Sequence, residues 1–250
     1  MVEIGFAQEI HSPLEKDPSR IHRGLWLAMS HGNKHARQAR LQDFEDVVLD
    51  VHSCVIKPVV EPEYRYLLDN YRTRDALVLG GIVHPARWRD IPQMMRNYSD
   101  QVKDGVAAIK RKHFPAVADF IDLASFAHYQ FYKIHPFLDG HKRTARQLVD
   151  TLSKHLGFGT SLITIDRKED YLDAIQASTV ARDIRHFSIF QSELLVEAYR
   201  GRKDPKGRYC FDAALSYRAH LIREVKKVAQ DIEKQRKKVE TRQAFDVTNL

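Results

Sequence analysis

The sequence predicts an all-α fold that carries one small β-hairpin and ends in a long charged helix. Three observations support this. Val117, Phe120, Ile121, Ala124, Ala127, His128 and Phe131 recur at three- and four-residue spacing, which makes one continuous apolar stripe on a helix. The same period resumes after Gly140, with Leu148 and Leu152 on the inward face. The β-rich run Leu77-Val78-Leu79-Gly80-Gly81-Ile82-Val83 is short, and two glycines interrupt it before His84-Pro85 closes it, as in a hairpin or flap.

The elements follow in chain order. Residues 1–60 mix polar clusters with helical patterns, such as that over 41–49, and carry no catalytic signature. After the hairpin, Asp90-Ile91-Pro92 opens a helix through Met94, Met95 and Tyr98, because proline is tolerated in a first turn. The helix from Pro115 stops at Ile134. Pro136 disfavours the α conformation in His135, so a loop begins there. Gly157-Phe158-Gly159 stops the next helix. Amphipathic helices are expected over 166–177 and 184–199, followed by the breaker-rich connector 200–208. In the last helix Leu221, Val225, Val228, Ile232 and Val239 approach a heptad pattern that Gln235 interrupts. A docking helix, a short coiled coil and a helix packed along a domain surface all fit. The expected division is an N-terminal helical region over 1–69, a catalytic core over 70–200, and a linker with the charged helix over 201–250.

Composition narrows the class of partner. The chain has 250 residues, with 40 Lys plus Arg against 33 Asp plus Glu, a formal net charge of +7. That excess favours polyanions such as nucleotide phosphates, nucleic acid or acidic protein surfaces, or is merely solvated. Residues 221–242 hold eight basic side chains against four acidic ones. No helix-turn-helix, zinc finger or RNA-binding motif accompanies them, so a nucleic-acid partner is an alternative without a motif behind it. The first residues lack a cationic start followed by an apolar run, and no apolar stretch approaches the ~20 residues of a membrane span, so no membrane partner is expected. The two cysteines, Cys54 and Cys210, show no metal-ligand or redox spacing along the chain. A reduced, cytoplasmic location is the expectation.

The chemistry concentrates in His135-Pro136-Phe137-Leu138-Asp139-Gly140-His141-Lys142-Arg143-Thr144-Ala145-Arg146. This stretch joins two helices, and its basic end falls on the first turn of the second. A helix N-terminus presents unpaired N–H groups and the positive end of the macrodipole, a ready anion site. Gly140 lets the backbone come close to a ligand. Lys142, Arg143 and Arg146 gather near one helix end, where three cations suit a di- or triphosphate. Asp139 among them is badly sited unless a cation such as phosphate-bound Mg²⁺ joins it. His135 offers an imidazole suited to taking a proton from a hydroxyl near neutral pH. Singly, these residues read as a loop histidine, a helix cap and solvated cations. A chance match at all seven of His135, Pro136, Phe137, Asp139, Gly140, Arg143 and Arg146 is on the order of one in ten million.

The stretch resembles the catalytic loop of the Fic family, His-x-Phe-x-Asp/Glu-Gly-Asn-Gly-Arg-x-x-Arg, which joins two core helices of an all-α domain. The resemblance extends over roughly residues 70–200, including Tyr71-Arg72 through Val83, Ile91-Pro92 to Tyr98, and residues 119–129, 166–175 and 183–187. It implies a protein adenylyltransferase that moves AMP from ATP to a Ser, Thr or Tyr hydroxyl of a target protein. By that resemblance His135 is the base, Phe137 anchors the loop, and Asp139 holds Mg²⁺ against the phosphates. Gly140, His141, Lys142, Arg143 and Arg146 form the phosphate site. Leu79, Gly80, Gly81, Ile82 and Val83 form a flap that aligns the target by strand addition.

Two positions depart from the pattern: His141 stands for the family's Asn and Lys142 for its second Gly. The related Doc toxins carry Lys-Arg there and transfer the terminal phosphate, which makes a protein kinase the alternative. Gly140 and Arg146 are Fic-like, and His141 matches neither subfamily. A degenerate protein that binds nucleotide without turning it over is a third reading, and a non-enzymatic basic binding protein a fourth. No Ser or Thr is followed four residues later by Glu, so the family's self-inhibitory helix is not expected; a separate inhibitory partner stays open.

Overall fold

The computed structural model describes residues 17–37, 43–68, 70–76, 84–112, 117–158, 163, 165–200 and 210–248. The expected flap residues Leu79, Gly80, Gly81, Ile82 and Val83 lie outside these, as does most of the 200–208 connector. Among the described residues the regular structure is helical, with no β-strand. The α-helices are α1 (Pro18–Ala36), α2 (Phe44–Ile56), α3 (Ile91–Arg111), α4 (Val117–Ile134), α5 (His141–His155), α6 (Lys168–Ala181), α7 (Arg185–Tyr199) and α8 (Cys210–Thr248). No described helix is long and apolar enough to cross a membrane.

The chain divides into two compact units, Met1–Leu162 and Ile163–Leu250. Within the first unit α1 and α2 pack on α5 and on each other. In the first unit α4 is central, against α3 and α5. Its buried set is broader than the expected stripe and adds Leu123, Ser125, Tyr129 and Tyr132. Phe120, Phe131 and Phe137 are fully buried, each side chain contributing about 1.5–3 kcal/mol by leaving water.

Local signals set the helix ends. Asp17 and Asp43 cap α1 and α2, accepting the N–H of Ser19 at 2.8 Å and of Glu45 at 2.9 Å. Pro92 lies in the first turn of α3. The glycine stop after α5 forms as expected: Gly157 takes φ +76°, and the Phe158 N–H donates to the Ser153 carbonyl at 2.8 Å. The α1–α2 contact depends on Gly24, where a Cβ would come 2.4 Å from the Val55 carbonyl oxygen.

In the second unit α7 packs against α6 and α8. Tyr171, Phe187 and Phe190 cluster with ring centroids 6.0–6.3 Å apart. Arg167 pairs with Asp170, Glu193 and Glu197, and Arg218 with Glu193. Along α8, Leu221 is buried and Val225 half-buried, while Val228 and Ile232 are exposed. The heptad-like seam is therefore covered within this unit only over its first part.

Candidate active site

The loop between α4 and α5 forms a cleft of about 380 Å³. His135, Asp139, Gly140, His141, Lys142, Arg143 and Arg146 all line it, joined by Tyr132 and Leu138. Residues far from one another in character thus meet around one helix N-terminus.

His135 follows the last turn of α4 with φ +54°, a left-handed conformation rare for a side-chain-bearing residue. Arg72 holds it there. This guanidinium belongs to a residue only 3% exposed. It donates from Nε to the His135 carbonyl at 2.7 Å, and from its other nitrogens to the carbonyls of Arg74 and Ala86 at 2.8 and 2.5 Å. The Arg72 backbone N–H donates to the Pro136 carbonyl at 2.9 Å. The ends of the segment containing residues 77–83 are therefore tied to each other and to the loop before α5. Trp88 adds a second tie, donating its N–H to Asp75 at 2.8 Å.

The His135 ring has Nδ1 facing the Tyr132 carbonyl at 3.4 Å, which favours the proton on Nδ1 and leaves Nε2 with a lone pair able to take a proton. Burial pushes its pKa down to about 4, and the charges of Arg72 and Lys142 act in the same direction. Directly against it lies His141, with ring centroids 3.4 Å apart and planes 21° from parallel. His141 is 5% exposed, and its Nε2 accepts the N–H of Phe137 at 3.0 Å. An imidazolium could not accept that bond. His141 is thus held neutral, its pKa well below the usual value because of burial and then the neighbouring His135. Its ring is buried against that of His135 and supports the loop, while the residue also lines the cleft.

Phe137 anchors the loop, stacked on His52 of α2 at 3.5 Å with planes 6° apart and near Tyr71 and Phe131. The His52 Nε2 lies 3.0 Å from the Asp139 carbonyl, to which it donates. Gly140 caps α5 with φ +85°. Its lack of a side chain serves the protein side of the loop: a Cβ would meet Ile56 Cγ2 at 2.8 Å.

Asp139, Lys142, Arg143 and Arg146 form the polar rim of the cleft. The Asp139 carboxylate accepts the N–H of Gly140 at the start of α5. Arg143 is half-buried, and its Nη1 is a buried donor without a partner among the described residues. Burial lowers its pKa, while Asp139 opposes the shift. An unpaired buried guanidinium donor is costly, and an anionic oxygen in the cleft would satisfy it. Arg146 is folded back with Nε donating to the Lys142 carbonyl at 3.2 Å. The Lys142 side chain is exposed, so it stands at the rim and does not fill the cleft.

Sequence reasoning missed Arg72 and His52 as site residues. His52 had a signal: a polar residue within the apolar face made by Val48, Val51 and Val55. Arg72 had none, because two of its three carbonyl partners, those of Ala86 and His135, are distant in sequence.

Helical packing thus gathers His135 and the cationic side chains of Lys142, Arg143 and Arg146 around the start of α5. Residues 42–153, a little under half of the chain, match the Fic/DOC family profile. Among curated relatives, a protein adenylyltransferase Fic from Nematostella vectensis is 25% identical over 178 residues, 69% of this chain and 39% of the relative. One from Aedes aegypti is 28% identical over 172 residues, 67% of this chain and 30% of the relative. The chain thus spans well under half the length of these relatives. Among solved structures, Fic-1 (residues 134–508) from C. elegans superposes with TM-score 0.53 at 18% identity, covering 84% of this chain and 52% of that one. BepC from Bartonella tribocorum, solved with bound AMPPNP, gives TM-score 0.54 at 13% identity, covering 74% and 88%. These likenesses show the fold.

Proposed function

We propose that this chain is a protein adenylyltransferase, moving AMP from ATP to a Ser, Thr or Tyr hydroxyl of a target protein. The observation that carries the reading is the pairing of a neutral, backbone-pinned His135 with the unpartnered Arg143 donor across one cleft. In the step, His135 Nε2 takes the hydroxyl proton and the oxygen attacks the α-phosphorus. The bond from that phosphorus to the bridging oxygen breaks, and pyrophosphate leaves toward Arg143 and Arg146. The stacked His141 keeps the base oriented and adds no charge beside it.

Mg²⁺ fits this site, because the Asp139 carboxylate lines the cleft beside Lys142, Arg143 and Arg146, where phosphates would gather. Asp139 would hold the ion, which supplies charge neutralisation for the phosphates when bound. The paired ends of the segment containing residues 77–83 support a target-aligning flap there. Transfer of the terminal phosphate is the second reading, favoured by the Lys142-Arg143 doublet.

The test uses ATP labelled at the α or the γ phosphorus, side by side, with cell lysate as the source of target. Protein label from the α position alone is expected. Label from γ alone would replace the reading with a kinase, and label from neither would overturn transfer. His135→Ala should reduce transfer by roughly 10²–10⁴-fold, the usual contribution of a positioned base.

A further inference from the structure

Away from the cleft, α1 and α2 bring together a second group of chemistry-bearing side chains. His31 and His35 are four residues apart on α1, and Asp50 and Cys54 four apart on α2, so each pair shares a helix face. One oxygen, Asp50 Oδ2, lies 3.0 Å from His31 Nδ1 and 2.8 Å from His35 Nε2. Ligand atoms of His31, Asp50 and Cys54 all lie within 4.8 Å of one another, with Cys54 buried and His31 and Asp50 half-buried at the edge of solvent.

A carboxylate bridging two imidazoles explains the first two distances without any ligand. The Cys54 thiol, one turn on from Asp50, adds a sulfur ligand atom within the same 4.8 Å. Nitrogen, oxygen and sulfur donors together are the set taken by zinc and neighbouring transition ions, whereas magnesium and calcium take oxygen alone. The scale also fits. Bonds of about 2.0–2.3 Å place tetrahedral ligand atoms roughly 3.3–3.8 Å apart, a closure that side-chain rotation can supply from the present spread.

We propose that His31, Asp50 and Cys54 bind one divalent transition-metal ion, zinc above all, as a clasp between α1 and α2. His35 orients the Asp50 carboxylate, as outer partners of metal-binding groups do. Binding deprotonates the Cys54 thiol and releases that proton to solvent; no electron is transferred. Between the two ligands on α2 sits His52, whose ring holds the Asp139 carbonyl, so the clasp bears on the helix that floors the catalytic loop.

The proposal is tested with the full chain, stripped of metal by a chelator and titrated with Co²⁺. One equivalent should bind with the visible bands of tetrahedral cobalt and a thiolate-to-cobalt charge-transfer band, and Zn²⁺ should displace it. Cys54→Ser should abolish the charge-transfer band. His31→Ala, at a half-exposed position with little packing to lose, should weaken binding at least about tenfold, the lower limit for loss even of an outer partner. Circular dichroism confirms that both variants are folded. The double variant His135→Ala/Asp139→Asn should keep the wild-type cobalt spectrum. Absence of stoichiometric binding, an unchanged spectrum in folded Cys54→Ser, or loss of the spectrum in the loop double variant would each overturn the assignment.

Discussion

The acid limb of the pH–rate profile is the sharpest test of how His135 is set up. A general base works in its neutral form, so the rate falls as the pH drops through its pKa. An imidazole with the ordinary pKa of about 6.5 would be only about 9% neutral at pH 5.5. Burial of His135, reinforced by Arg72 and Lys142, brings its pKa to about 4. At pH 5.5 such a base is still about 97% neutral, a tenfold advantage over the unperturbed group. The assay is the initial rate of AMP transfer from α-labelled ATP to a fixed target between pH 4.5 and 8. Nucleotide affinity is measured at each pH so that titration of ATP is separated from that of the enzyme. The base should impose no fall above about pH 5. A single acid limb with a midpoint between 6 and 7, at constant nucleotide affinity, would refute the buried, neutral imidazole.

Two substitutions test the scaffold. Arg72→Met should destabilise the fold by roughly 2–4 kcal/mol in urea denaturation, because the carbonyls of His135, Arg74 and Ala86 lose a charged donor in a buried setting; it should also slow AMP transfer more than it weakens ATP binding. Gly140→Ala should cost at least about 1–2 kcal/mol from the left-handed backbone alone, with further loss from the Ile56 overlap, read as a fall in thermal midpoint.

Legibility in the sequence followed the range of the interactions. The helices α3, α4, α5 and α7 announce themselves through apolar spacing, proline in a first turn and the Gly157 stop, all signals within a few residues. The loop from His135 to Arg146 is equally legible because its chemistry is contiguous. What could not be read is whatever depends on segments meeting across the fold. Arg72 spends its donors on carbonyls at 74, 86 and 135. Cys54 has no metal-ligand spacing along the chain because its companion His31 comes from a different helix. His141 reads as a misfit in the family pattern, yet folded it accepts the Phe137 N–H and lies under the base. The packing of α1 and α2 was likewise hidden, since nothing local in either says that they cover α5.

The left-handed backbone of His135 has a consequence for anyone improving this protein. At φ +54° a glycine would relieve a strain that L side chains cost about 1–2 kcal/mol to hold. A campaign that scores variants by melting temperature alone would therefore favour glycine at the position whose imidazole the proposed transfer uses. Robustness and turnover pull in opposite directions at this residue, and selection must be made on transfer itself.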